Sequence, residues 1–286
     1  MPRRFLLLQA FFWWRTLGLA YPLCVTLSVV IIAHNEETNI GRTLASVQPL
    51  VAEGRGEIIV VDSGSSDRTV EIAKSLGAKV FVEEWKGYAA QKNSAIEKAT
   101  GAWILSLDAD EEVDAELVEE IRAVTGGNAA ALTFPSGFRI PRKNFFLGRW
   151  IKHGGFWPDP KLRLFRRGAA RFEDRAVHED AKLAQGTPGE LKGALLHHSY
   201  PTLADYIDHM NRYSSLGAEM AVARNQNGFG VIDIVVRPAA TFSYNYIFRF
   251  GFLDGREGLL LHLYHAVYVS WKYAKAWELA ARKNRA

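Results

Sequence analysis

Two aspartates one residue apart, Asp108 and Asp110, follow directly on the apolar run Trp103-Ile104-Leu105-Ser106-Leu107. Carboxylates at that spacing converge on one point and suit a hard divalent cation. Mg²⁺ in particular is held by one or two carboxylates plus the phosphates of a substrate. Asp-rich surface turns share the spacing, so the pair alone does not define a site. Its company upstream raises it. His34-Asn35-Glu36-Glu37 follows the β-branched run Leu27 to Ala33, and Asp62-Ser63-Gly64-Ser65-Ser66-Asp67 follows Glu57 to Val61. One carboxylate per loop is what a nucleoside diphosphate needs, one for the base or ribose and another for the metal on the phosphates.

The elements that must position these clusters are legible. Leu27 to Ala33 reads as a strand covered on both faces. A helix follows from about Asn39, with Ile40, Leu44 and Val47 on one face. Glu57 to Val61 is a second buried strand, and Asp67 can cap the next helix, which Gly77 ends. Lys79 to Val82 reads as a third strand and Tyr88 to Thr100 as a third helix, before the strand that leads to Asp108. Strand and helix alternate throughout, which predicts an α/β fold with a mostly parallel sheet and helices on both faces. All three polar clusters then open on one sheet edge, where such sheets bind ligands. No G-x-G-x-x-G follows the first strand, which disfavours a dinucleotide fold.

Beyond Asp110 a helix is expected over Asp114 to Val124 and a strand over Ala130 to Phe134. Arg139 to Glu179 reads as less regular, with Leu162 to Phe165 alternating like a strand. Thr202 begins a clear helix, and Pro238 favours helix over strand in the aromatic stretch after Arg237. Leu259 to Ala281 is long enough to span a membrane, but His262, His265, Lys272, Lys275 and Glu278 argue against it. Lying flat on a membrane, or packing on the sheet domain or a second subunit, are the two readings left.

The chain has 286 residues, 48% of them hydrophobic and 23% charged, the profile of an ordinary globular protein. A single cysteine, Cys24, excludes a disulfide framework and a cysteine-based zinc site. The net charge of +4 is unevenly placed, with bases crowding Arg139 to Arg175 and both termini. That pattern suits a partner carrying phosphate, whether nucleotide, lipid or membrane surface. Nucleic acid is excluded as the expected partner, because no recognition motif accompanies the bases. The opening segment, 1–26, reads either as an aromatic interfacial anchor or as an extension upstream of a true start near Val25. Residues 27–200 are then expected as the catalytic domain and 201–286 as a helical, membrane-associating region.

The pieces SVVIIAHNEE, EIIVVDSGSSDRT, AAQKNSAIEKATGAWILSLDADEE and RLFRRGAARFEDRAVHED together resemble the family 2 glycosyltransferases of the GT-A fold. With the late GFLDGREG, the chain is most similar to the bacterial group that includes lipopolysaccharide core β-1,4-glucosyltransferases. The resemblance implies an inverting transfer of one sugar from a nucleotide-sugar donor, usually uridine-linked such as UDP-glucose, with Mn²⁺ or Mg²⁺ as cofactor. It implies a lipopolysaccharide-core or other lipid-linked glycan acceptor at the cytoplasmic face of the cell membrane, with peripheral membrane contact. By the same carry-over, Ala33, Asn35 and Glu36 line the nucleotide pocket, Asp62 meets the base, and Lys92 lies near base or diphosphate. Asp108 and Asp110 match the metal and donor motif. Glu179, in Val177-His178-Glu179-Asp180, matches the general base, with Asp180 as the alternative and His178 positioning the acid or diphosphate. The Q-x-x-R-W of processive synthases is absent, which points to one added sugar.

Outside the resemblance, Arg163 is a candidate phosphate contact and Arg166 a weaker one. His153, His197 and His198 read as hydrogen-bonded structural histidines rather than ligands. Two other functions remain in view. A polyprenyl-phosphate glycosyltransferase would use a phosphate as acceptor, and a sugar-nucleotide-binding protein would have lost catalysis. The intact Asp-x-Asp and the VHED acids weigh against loss.

Overall fold

The computed structural model describes residues 26–126, 135–173, 180–224 and 229–283. The segment 1–25, the expected strand Ala130 to Phe134, and the candidate residues His178 and Glu179 lie outside the described residues. Four strands, β1 (Leu27–Ala33), β2 (Gly56–Asp62), β3 (Lys79–Val82) and β4 (Trp103–Asp108), run parallel. Helices α1 (Ile40–Val51), α2 (Thr69–Ser75) and α3 (Tyr88–Glu97) connect them in turn. Alternate residues of the strands face opposite layers, as the pleat requires. Val29 and Ile31 pack with Ile40, Leu44 and Val47 of α1, whereas Val30, Ile59, Val61 and Ile104 pack with Ala89 and Ala95 of α3. Gly101 is fitted to its place before β4, because a Cβ there would stand 2.6 Å from the backbone nitrogen of Ser28.

After β4 the chain turns into β5 (Glu111–Val113) and α4 (Ala115–Gly126). The region expected to be irregular holds β6 (Gly137–Ile140), β7 (Arg142–Phe146), β8 (Arg149–Trp150), β9 (Lys161–Arg166) and β10 (Ala170–Phe172). These strands are short and several carry polar residues on both faces, as in Arg142-Lys143-Asn144, so no apolar period announces them. With β11 (Ala181–Leu183), β12 (Gly189–Glu190) and β13 (Leu195–Tyr200) they complete two sheets and a hairpin. The main sheet has the order β12-β6-β9-β4-β1-β2-β3, the smaller one β5-β13-β7-β8, and β10 pairs with β11. β9 is antiparallel to β4. Strand order therefore reverses between β1 and β4, a switch point of the kind where open sheets bind ligands.

Helix α5 (Leu203–Ala223) starts where Thr202 accepts a hydrogen bond from the Asp205 amide. A bent helical run follows, with wide turns at Ile232–Val236 and Ser243–Phe248 on either side of α6 (Arg237–Phe242). The helix expected from Pro238 is thus present. The last helix, α7 (Gly255–Lys283), packs along α5. Its Lys275 ammonium donates to Asn211, Ser214 and Ser215 of α5, and Lys272 lies against Gly217. Packing of α7 within the chain is observed, with Lys272 and Lys275 turned toward α5 and Arg282 and Lys283 exposed. No described helix is long and apolar enough to cross a membrane.

Candidate active site

Register brings the three loops together. Ala33 pairs with Asp62 across β1 and β2, and Ile32 pairs with Asp108 across β1 and β4, so the three strand ends lie level at one edge. The first two loops are stitched to each other. The Asn35 amide donates to Ser65 Oγ at 2.8 Å, and Asn35 Oδ1 accepts from the Ser66 amide at 2.8 Å. Asn35 has φ 55°, a left-handed conformation that asparagine tolerates better than most residues. Glu36 donates its amide to Thr69 Oγ1, and Asp67 accepts from the amides of Thr69 and Glu37. Arg68 is the N-cap of α2, and Asp67, expected as the cap, stands one residue earlier and ties the helix start to the first loop.

Asp62 is fully buried, and Oδ1 accepts from the amides of Gly64 and Ser65 at 2.9 and 2.8 Å. Its Oδ2 accepts from the Ser65 hydroxyl. As found, its carboxylate shapes the loop that would cradle a nucleotide. Ala33 is buried beneath that loop and accepts from the Ser63 amide. Glu36 sits half-buried above the Asp-x-Asp turn. Burial pushes its carboxyl up to about 7, opposed by the Asn39 hydrogen bond and reinforced by Asp110 and Asp108.

Asp108 stands between two buried cations. Lys92, on α3, meets Oδ1 at 2.8 Å, and Arg163, on β9, meets Oδ2 at 2.5 Å. Burial alone would raise the Asp108 carboxyl, but Arg163 and Lys92 outweigh it and hold it well below the usual range. Arg163 also reaches Glu111 at 2.8 Å, and Glu111, fully buried, accepts from the Asp108 amide and from Arg142. Arg142 in turn grips Asp159 at 2.6 Å. Arg163, expected at a phosphate, is here committed to two carboxylates. Lys92, a solvated lysine by default, is buried and committed to one of them.

Asp110 points the other way, toward β13. The pairing of His197 with Glu111 and with Asn144 sets the imidazole beside the Asp-x-Asp turn. His197 Nε2 is 3.3 Å from Asp110 Oδ2. Asn144 donates its amide nitrogen to Phe156 O and Asp159, so its Oδ1 is the acceptor that faces His197 Nδ1 at 2.7 Å. The network thus assigns the ring proton to Nδ1. In the neutral ring the Nε2 lone pair then faces a carboxylate oxygen. A cation placed between these two acceptors could bridge them, and the Ser199 hydroxyl, 3.1 Å from Nε2, can also donate to that lone pair. Burial would raise the Asp110 carboxyl, and His197 more than offsets this. Among the described residues no three His, Cys, Asp or Glu side chains form a cage. Two protein donors completed by phosphate oxygens are what Mg²⁺ or Mn²⁺ accepts, so the residues present fit such an ion.

Beside His197 opens a cavity of about 320 Å³, walled by Asn144, Phe156, Asp159, Lys161 and Tyr200. Lys161 lies 3.3 Å from Asp159 and 3.8 Å from Asp180. Asp180 is more than half exposed, at the end of the segment that carries Glu179 and His178. A donor at the sheet edge and an acceptor in this cavity would meet at Asp110 and His197.

The signature described as Glycosyl transferase family 2 matches residues 28–179. The chain belongs to that family. It is 30% identical to a lipopolysaccharide core biosynthesis glycosyltransferase of Rhizobium meliloti, over 91% of this chain and 94% of the relative. It is 29% identical to a glycosyltransferase of Rickettsia typhi, over 90% and 89%. A mannosyltransferase of Pyrobaculum calidifontis, solved with GDP-Man and Mn²⁺, shares the fold with a TM-score of 0.53 at 15% identity, covering 94% of this chain and 93% of that one.

For this family 2 glycosyltransferase, sequence reasoning missed several residues the site uses. His197 was expected to be structural, and Glu111, Arg142, Asn144 and Asp159 went unremarked. His153 and His198 fit the structural role, on Asp254 at 2.9 Å and Glu112 at 2.8 Å. Gln91, one residue before Lys92, is fully buried with neither amide atom partnered. A buried amide left so is costly unless a ligand or water meets it. Its place within Gln91-Lys92-Asn93 was the one available signal.

Proposed function

We propose that this glycosyltransferase moves one sugar, with inversion, from a uridine-linked nucleotide sugar to a hydroxyl of a lipid-linked glycan, in the lipopolysaccharide core or a related acceptor. The observation that carries this reading is the meeting of the Asp-x-Asp turn, His197 and the adjoining cavity at one end of the sheet. Relationship to a lipopolysaccharide core enzyme supports the acceptor class. We place the catalytic unit in residues 27–200 and the reaction at the cytoplasmic face of the membrane.

In this reading Asp62 and its loop, with Ala33, Asn35 and Glu36, receive the nucleoside. Lys92 and Arg163 hold Asp108 charged and in place. Asp110 and His197 would hold a divalent cation, which when bound would supply positive charge beside the leaving diphosphate. The acceptor hydroxyl enters from the cavity side and gives its proton to a carboxylate, Glu179 or else Asp180. Its oxygen bonds to the anomeric carbon as the bond from that carbon to the diphosphate oxygen breaks, and the electron pair leaves with the diphosphate. Removing the proton in that step contributes about 10² to 10⁴ in rate.

Thermal unfolding with UDP-glucose, GDP-mannose and the free nucleotides, with Mn²⁺ or with chelator, tests the donor side. A ligand at 100 times its Kd stabilises by about 2.7 kcal/mol. Stabilisation by UDP-glucose that needs Mn²⁺ is expected. No shift with any nucleotide sugar, or a shift indifferent to chelator, overturns the reading.

A further inference from the structure

Among the described residues, many of the exposed large apolar side chains lie on the bent helical run before α7. Val231, Ile232, Val235 and Val236 stand exposed, followed one helical turn later by Ala239 and Ala240. Tyr244, Ile247 and Phe248 continue the stripe. A four-residue step in a 3.6-residue helix drifts by about 40° each turn. The wide turns at Ile232–Val236 and Ser243–Phe248, with more residues per turn, work against that drift. Phe250, Phe252 and Leu253 extend it around the corner into α7, and Phe248 alone is 71% exposed. A water-facing surface this apolar and this contiguous is uncommon on a protein without a partner for it.

Its charges are of one sign. Between Val231 and Arg256 the bases are Arg237, Arg249 and Arg256, all exposed. The acids are Asp233, covered and paired with Arg237 at 2.8 Å, and Asp254, 2% exposed. Arg237 is paired with Asp233, so the exposed surplus of positive charge is Arg249 and Arg256. Half-buried Glu257, the next residue of α7, is engaged by Arg149 at 3.6 Å. An anionic bilayer supplies both what the apolar stripe and what the arginines lack.

The same corner forms part of the cavity's frame. The Gly154 amide donates to Arg249 O at 2.9 Å, and Asp254 accepts from the amides of Lys152 and His153. His262 of α7 fills the gap between Gly154 and Gly251, where a Cβ on either would come within 2.4 Å of the ring. The loop so fixed supplies Ile151, Gly155 and Phe156 to the wall of the 320 Å³ cavity beside His197.

We propose that the surface from Val231 to Leu253 is a docking face for an anionic lipid bilayer, and that it presents the acceptor cavity to a glycan whose lipid remains in the membrane. Its second half rests on the transfer to a lipid-linked acceptor proposed above. The lipid chain stays outside the protein, and only the polar head enters between Phe156 and His197. This narrows the membrane-associating region expected over 201–286 to the corner that precedes α7, since Lys272 and Lys275 are turned toward α5.

Flotation of the full chain with vesicles of phosphatidylglycerol and phosphatidylcholine tests it, beside pure phosphatidylcholine vesicles. The wild type is expected to float with the anionic vesicles and to be released by salt. The exposed pair Val235→Ser/Phe248→Ser should lower the partition at least about tenfold, and Arg256→Gln about fivefold. All should keep the wild-type unfolding temperature. Stabilisation by UDP-glucose with Mn²⁺ is read in parallel, and should be equal in every variant. Wild type that does not float, or variants that float as well as wild type, overturns the docking face. So does a dimer in sedimentation equilibrium that Val235→Ser/Phe248→Ser dissolves while no protein binds vesicles. Loss of the nucleotide response in wild type with flotation intact would instead sink the glycosyl-transfer reading and leave the face standing.

Discussion

Replacing Arg163 with Met tests whether the Asp-x-Asp turn is held by buried charge. Arg163 is 4% exposed and joins Asp108 at 2.5 Å to Glu111 at 2.8 Å. Methionine fills much of the same volume but leaves both carboxylates facing its thioether. Removing one member of a buried ion pair costs about 3–5 kcal/mol. Each acid keeps one other cation, Lys92 on Asp108 and Arg142 on Glu111. The expected loss is therefore at the low end, about 3 kcal/mol. Urea unfolding near neutral pH reads it as a lower midpoint at unchanged slope. The sign of its pH dependence follows from Asp108, whose folded pKa is held well below its ordinary value. A depressed carboxyl contributes stability above its unfolded pKa and loses it as pH falls, so the variant's acid limb should be flatter than the wild type's. A loss under about 1 kcal/mol would refute the buried-charge reasoning. Unchanged stability with weakened UDP-glucose binding would place the guanidinium on the donor phosphate instead.

Four further outcomes are expected. His197→Ala should weaken Mn²⁺ binding in the presence of UDP, and removing the partner that orients it, by Asn144→Ala, should cost about 10–100-fold; calorimetric affinities that match wild type in both would refute the Asp110–His197 metal pair. Because burial and the neighbouring acids raise Glu36 to about 7, a cation bound nearby should expel its proton. Mn²⁺ affinity should then climb as pH rises through about 7, and Glu36→Gln should flatten that climb in titrations run in two buffers. Burial, with His265 adding to it, lowers His262 to about 4 from 6.5. Its stability is whole above 6.5 and is lost as pH falls toward 4, by up to about 3 kcal/mol; His262→Leu should remove that step from the urea midpoints measured against pH. Glu179→Gln should lower kcat strongly with donor affinity unchanged, and a normal kcat there with Asp180→Asn inactive would assign the base to Asp180.

The amino-acid sequence by itself determined the elements that local rules govern. β1, β2 and β4 carry buried apolar runs, α1 repeats its apolar residues at helical spacing, and Asp67 stands just before the start of a helix. Because such elements follow from patterns within about ten residues, the parallel sheet and the three polar loops at one edge were legible. So were Glu36, Asp108 and Asp110, which sit in or next to those loops. What only the tertiary structure decided are the partners across the chain. Arg163 is 55 residues from the Asp108 it holds, and Asn144 is 53 from the His197 it orients. His197 meets Asp110 because β13 pairs with β5 and β7 in a second sheet, and those strands are too short and too polar to betray their register. The same holds for the α7 lysines. Only the packing of α7 on α5 shows Lys272 and Lys275 turned inward, while apolar side chains between Val231 and Leu253 stand exposed.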